Sequence, residues 1–298
     1  MRIVCIGGGH GLSTVLEALN SGNHHLSAII ATTDNGGSTG RLRADKRLVA
    51  LGDIRRCIDS LANKNHLMSV LSQHRFGFEH DVKGHSVGNL ILSALCELTQ
   101  SPSKAIQEYA RLLNVDHAIY PMSESPVDLI ATAKNGTRIE GECEVDALSD
   151  LPQALYLSDK TISAVPEAVR DIYNADMILI GPGSALTSVT PPLLVNDIKN
   201  ALLNTSACRV FIENVCKENS VMSSISPCEH AAWLADLIGY KFFDLCLSVD
   251  ALGAMDTRVD FNNLNNKSIS THNKQQLKFV IESMIAHPKK EKLPSLIH

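Results

Sequence analysis

"RIVCIGGGHGLSTVLEALNSG", residues 2–22, passes from an apolar β-branched run through consecutive glycines into helical spacing. Residues 2–7 read as a buried strand, and 12–22 as a helix closed by Gly22. A strand that runs straight into a glycine turn and then a helix is the opening unit of an open parallel sheet. The rest of the chain repeats this pattern.

"LSAIIATT" (26–33) is the next strand, and "DIRRCIDSLAN" (53–63) sets Ile54, Cys57, Ile58 and Leu61 at helical spacing. Helices follow at 86–99 and 102–114. Residues 115–160 change character: "VDHAIYPM", "VDLIATAKNGTRIEGECEV" and "ALYLSDKT" read as a β-meander turning at Asn135-Gly136. The βα rhythm resumes with a strand in "DMILIGPGSALTS" (176–188), a helix over 191–204, the strand 208–214, a helix near 228–239 and a strand over 243–249. A last amphipathic helix spans 273–287. The expectation is one α/β domain over 1–298, a Rossmann-like three-layer α/β/α fold with a mostly parallel sheet and a small β-rich insertion near 115–160.

With 298 residues, 44% hydrophobic and 20% charged, the chain is long enough for a large core and too apolar for disorder. A net charge of −5 excludes a general nucleic-acid binder, so an anionic ligand would be held by local backbone dipoles and a few arginines. The eight cysteines include no CxxC pair and read as reduced core thiols. No signal-peptide core and no apolar run of membrane-spanning length is found, so the expected setting is cytoplasmic, with no membrane partner.

Three glycine-rich loops directly follow predicted strands: "GGGHGLS" (7–13), "DNGGSTGRLR" (34–43) and "GPGSALTS" (181–188). A parallel sheet would place all three on its carboxyl edge, where backbone amides and helix N-termini can face anionic oxygens. A phosphate-bearing ligand is the reading that covers all three. Neither Rossmann frame fits, since Leu12 or Thr14 stands where the last glycine should be. Asp34 nevertheless stands where a ribose-binding acid would, which keeps a dinucleotide open. No P-loop occurs. "GDIRRC" (52–57) offers Asp53 and Arg55, or simply a helix cap worth ~1 kcal/mol and solvated arginines. "GHSVGN" (84–89) sets His85 and Asn89 one turn apart; a capping histidine and a satisfied core amide are the plainer alternatives.

Taken in order, "GGGHGLS", "TTDNGGSTGRLR", "GDIRRC", "GHSVGNLILSAL" and "IGPGSALTSVTPPLL" resemble the CofD-like superfamily, in its YvcK-type gluconeogenesis-factor branch. The resemblance spans residue 3 to about 215. It implies homodimers, UDP-sugar binding (UDP-N-acetylglucosamine among them) and a role in cell shape and growth on gluconeogenic carbon. It places Gly7, Gly8, Gly9, His10 and Gly11 around a phosphate or ribose, with Asp34, Asn35, Gly36, Gly37, Ser38 and Arg41 as a second cradle. Gly181, Gly183, Ser184, Thr187 and Ser188 form the third, and Arg55 and Asn89 add polar contacts. The transferase branch, which moves a phospholactyl group with a divalent metal such as Mg²⁺, supplies the alternative. There Asp34, Asp53 and His85 are the catalytic candidates and Asp34 the metal ligand. A third reading is an NAD-binding oxidoreductase. Relative to the family pattern, His10 replaces a threonine and Arg56 an asparagine. Asn35 replaces the second acid of a pair, which weakens a metal site.

Overall fold

The computed structural model describes residues 1–46, 48–77, 81–215, 218, 220–247, 256–258 and 269–286. β1 (Arg2–Gly7) lies at the middle of a six-stranded sheet whose order is β3-β2-β1-β7-β8-β9. β2 is His25–Ile30, β3 Ala118–Pro121, β7 Met177–Ile180, β8 Cys208–Ile212 and β9 Leu245–Leu247. Every pairing in this sheet is parallel. The alternation of β1 sorts its side chains between two cores. Ile3 and Cys5 join one apolar cluster; Val4 and Ile6 join the other. Burial on both faces, worth roughly 1.5–3 kcal/mol per large aliphatic side chain, is why this strand reads as a continuous apolar run.

The first core is roofed by α1 (Gly9–Leu19), α3 (Gly52–Leu61), α5 (Val87–Thr99), α6 (Pro102–Leu112) and α12 (Lys274–Ala286). The second is covered by α8 (Pro166–Asn174), α9 (Thr190–Leu193), α10 (Asn196–Asn204) and α11 (Pro227–Ile238), giving three layers. α2 (Gly37–Lys46), α4 (Leu67–Gln73) and α7 (Glu142–Asp146) are further helices. β4 (Leu129–Thr132), β5 (Arg138–Glu140) and β6 (Ala154–Leu157) form a separate antiparallel sheet ordered β5-β4-β6. β10 (Asp256–Arg258) and β11 (Ile269–Thr271) make a two-stranded ribbon. Among the described residues no helix is long and apolar enough to cross a membrane.

Five expectations need correction. "AIYP" is no part of the meander: it pairs with Ser27–Ile30 as the edge strand of the main sheet, with Ile119 and Tyr120 buried in opposite cores. The first helix starts at Gly9, inside the glycine loop, and ends at Leu19, before Gly22. "TTDNGGSTGRLR" is half helix, because α2 begins at Gly37. The helix expected over 191–204 is broken at Val195, whose ψ of 121° is extended; a π-helical turn (Ala185–Val189) leads into α9, and α10 starts afresh. The strand expected over 243–249 begins at Leu245, and positions 248 and 249 lie outside the described residues.

Candidate functional site

Successive crossovers carry the chain from β1 to β2 and β3 on one side, then to β7, β8 and β9 on the other. The connections therefore diverge between β1 and β7, and a crevice opens at their carboxyl ends. The two glycine loops there pack edge to edge. A Cβ on Gly11 would stand 2.4 Å from the Pro182 carbonyl oxygen, and one on Gly183 3.3 Å from that of Gly8. Gly7 and Gly181 meet at the base of the same seam, and Ser188 lies over Gly8 and Gly9. Gly8 is extended and Gly9 takes φ +67°, a turn that aims the first amides of α1 into the crevice. Gly8 at the cap position has no side chain to cap this helix, and the helix's own first turn holds no acid. The amide donors and the positive dipole end therefore depend on groups from elsewhere in the fold, or on an anion, for partners.

Asp53 stands against this opening. Its carboxylate accepts the Gly9 amide and, at 2.5 Å, Nη1 of Arg56. It lies in the first turn of α3, where Leu51 is the cap residue, so it is not the N-cap the sequence suggested. Burial pushes its pKa up; Arg56 pulls it down and Asp34 adds to the rise. His10, exposed at the rim, is pushed down to about 4 by partial desolvation and by the charges of Arg56 and Arg55.

Arg55 turns the other way. It pairs with Asp59 at 2.5 Å in a buried network in which Asp59 also accepts the hydroxyls of Ser72 and Tyr109. His85 Nδ1 meets Ser38 Oγ at 2.8 Å, and Asn89 Nδ2 donates to the same oxygen at 3.0 Å. Both His85 and Asn89 are buried, and the pKa of His85 is lowered by desolvation, Arg41 and Arg75. The sequence pair is thus real, but it ties α5 to α2. Asn89 Oδ1 remains unpartnered beside a small void of about 10 Å³.

In the second loop Asp34 accepts the Gly36 amide at 2.7 Å. Asn35 spends both amide atoms on the start of α7: Oδ1 accepts the Cys143 amide and Nδ2 donates to Glu144. Arg41 points outward and donates to the Lys83 carbonyl at 2.6 Å. Arg43, given no role by the sequence, reaches five acceptors: the carbonyls of Leu48, Thr33, Asp34 and Val127, and the Asp128 carboxylate.

The third loop is closed by side chains. Asn214 accepts the Gly183 amide and returns a bond to its carbonyl, while Glu218 accepts the Ala185 amide. Ser184 and Thr187 both donate to Asp146 of α7. Helix α7 thus delivers carboxylates to the crevice rim that only its fold location reveals. Burial and the neighbouring Asp34, Asp53 and Asp146 push Glu142 up to about 9, against the pull of Arg43. Burial and the charges of Arg55 and Arg56 lower the pKa of Arg75. Asp146 also borders an open cavity of about 620 Å³ lined by Lys134, Ser149, Ser220, Val221, Ser223 and Ser224.

Residues 3–286 match the family described as 2-phospho-L-lactate transferase CofD. The chain belongs to the CofD family. Among its relatives, a Yersinia pestis "Putative gluconeogenesis factor" is 38% identical over 289 residues, covering 95% of this chain and 94% of that protein. The Bacillus subtilis gluconeogenesis factor is 34% identical over 246 residues, 83% of this chain and 78% of its own. The crystal structure of a UPF0052 member from Bacillus halodurans superposes with a TM-score of 0.85 at 27% identity, covering 94% of this chain and 98% of that one.

For this CofD-family member the expected divalent metal would have Asp34 as ligand. Among the described residues no three His, Cys, Asp or Glu side chains gather closely enough to hold a metal ion. Asn35 in place of a second acid, with its amide fixed on α7, fits that result. The residues present do not fit such a site.

Proposed function

We propose that this gluconeogenesis-factor-type protein binds a nucleotide sugar, of the UDP-N-acetylglucosamine class, as a regulator of growth on gluconeogenic carbon and of cell shape. The observation that carries the reading is the glycine-built N-terminus of α1, which has no capping side chain of its own and is flanked by the Asp53–Arg56 pair and His10 at the β1/β7 divergence. There the diphosphate meets amides, dipole and guanidinium together. The carboxylates of Asp34 and Asp146 suit ribose or sugar hydroxyls, and the cavity beyond Asp146 falls within the usual range of ligand-site volumes, ~300–1,000 Å³. The relatives' name supports the physiological part of the proposal.

Calorimetric titration with UDP-N-acetylglucosamine, with and without Mg²⁺, tests it. Metal-independent binding that Arg56→Ala removes, while Arg41→Ala leaves it within a few-fold, is the expected result. Absence of binding by the folded wild type overturns it. The family description and the placement of Asp53 at the α1 amides favour a second reading, transfer of a phosphate-containing group. Its mark is consumption of a nucleotide-activated donor that fails in Asp53→Asn. Quenching of NADH fluorescence would instead revive the dinucleotide reading.

A further inference from the structure

The amino ends of β1 and β2 hold a second cavity, at the opposite edge of the sheet from the crevice. Its volume is about 380 Å³, and Arg2, His25, Ser27, Arg170, Asp171 and Asn174 line it. The strand register explains the lining. Arg2 pairs with His25 and Val4 with Ser27, so alternation turns all four toward the face that α8 covers. Further along, this face is apolar, with Ile6 and Ile29 in the second core. At Ser27 it becomes polar. Ser27 Oγ donates to Asp171 Oδ2 at 2.6 Å, and the Tyr120 hydroxyl on β3 donates to the same oxygen at 3.0 Å. Burial and Asp171 push that hydroxyl's pKa up to about 12, so it stays a donor. One oxygen of the carboxylate is thereby filled, while Oδ1 has only a long contact, 3.4 Å, from Arg170.

We infer that this cavity binds a small phosphate ester carrying free hydroxyl groups, a ligand separate from any nucleotide in the crevice. Charge selects the phosphate. Two guanidinium groups line the cavity against one carboxylate. Among the described residues the Arg2 guanidinium, the His25 ring and the Asn174 amide have no hydrogen-bond or ion-pair partner. Asp176, just beyond α8, is outside the lining and accepts the Arg2 backbone amide. In a chain of net charge −5, unspent cations gathered in one concavity are where a small anion concentrates. The end of α8 opposes it with a partial charge of about −0.5, which the surplus guanidinium outweighs. Guanidinium forks match phosphate oxygens in pairs. The rest of the lining selects the body of the ligand: Asp171 Oδ1 accepts a hydroxyl, and the Asn174 amide both donates and accepts. The volume falls within the ~300–1,000 Å³ of small-molecule sites. Six residues of β1, roughly 20 Å, separate the cavity from the crevice, too far for one such ligand to reach both.

Calorimetric titration of the whole chain with glucose 6-phosphate is the experiment, with glucose and inorganic phosphate as controls. The expected result is one site per chain, with glucose silent and inorganic phosphate weaker by about tenfold or more. Arg2→Gln and Arg170→Gln, both at exposed positions, each weaken glucose 6-phosphate binding roughly tenfold with unchanged circular dichroism. Arg56→Ala, which acts on the crevice, leaves that binding within a few-fold, so failure here is distinct from failure of the nucleotide-sugar reading. Absence of binding by the folded wild type overturns the inference, as does binding that survives the combined Arg2→Gln and Arg170→Gln variant. Equal affinity for inorganic phosphate overturns the role given to Asp171 and Asn174. Loss of binding in Arg56→Ala alone also overturns the inference, by assigning the ester to the crevice.

Discussion

Asp53 and Arg56 meet across one turn of α3 at 2.5 Å, and the same carboxylate accepts the amide of Gly9 from the neighbouring helix. This places a paired acid where a ligand phosphate would otherwise find bare amides. Ligand entry must then redistribute three partners: the amide, the carboxylate and the guanidinium.

Removing one member of that pair leaves the other buried and unmatched. Arg56→Ala is expected to destabilise the fold by about 1–3 kcal/mol, and Asp53→Asn in the same chain to restore most of the loss. Urea titration of the two single variants and the double variant measures the coupling.

Glu142 supplies a pH dependence. Its folded pKa, raised from 4.5 to about 9, exceeds that of the unfolded chain, so the folded state holds the proton more tightly between those values. Its contribution is full below 4.5 and is lost as pH rises through about 9. In Glu142→Gln that loss disappears. The melting temperature of the variant should gain on wild type steadily from acid to alkaline buffer, and parallel curves would refute the assignment.

Arg43→Lys tests the clamp behind the second loop. An ammonium offers three donors and no planar fork, so at least two of the five present acceptors lose their partner. A loss of about 2–6 kcal/mol is expected, at roughly 1–3 per orphaned group. Thermal unfolding checks it.

The seam between the two glycine loops is testable at Gly11. A methyl there would meet the Pro182 carbonyl at 2.4 Å, whereas one on Gly77 meets nothing within 4 Å. Gly11→Ala should cost about 1–3 kcal/mol and weaken nucleotide binding, while Gly77→Ala stays within about 1 kcal/mol of wild type. Calorimetry of both variants separates packing from composition.

Strand–glycine–helix units were readable because a two-faced buried strand such as Ile3–Ile6 writes its burial directly into residue type. The three loops were placed on one edge by topology alone. What their side chains do was less legible. Ser184 and Thr187 look like phosphate ligands until Asp146 arrives from forty residues away. Asn35 looks like part of an acidic pair until α7 claims its amide. Arg55 and Arg56 are indistinguishable in sequence; a 100° step around α3 sends one into the Asp59 network and the other to the crevice. Glu142 carried no motif, and its character comes from neighbours distant in the chain. "AIYP" was misassigned because four residues flanked by turns carry no record of which sheet they join.

The Arg43 side chain gathers the exit of β2, the turn at Leu48 and the approach to β4 onto one guanidinium. Those segments are separated by up to ninety-five residues of chain, yet none can be rebuilt alone without leaving the others' carbonyls unanswered. The second loop and the lead into the antiparallel insertion are therefore a single mechanical part, and a chimera that swaps either segment by itself would have to bring its own arginine.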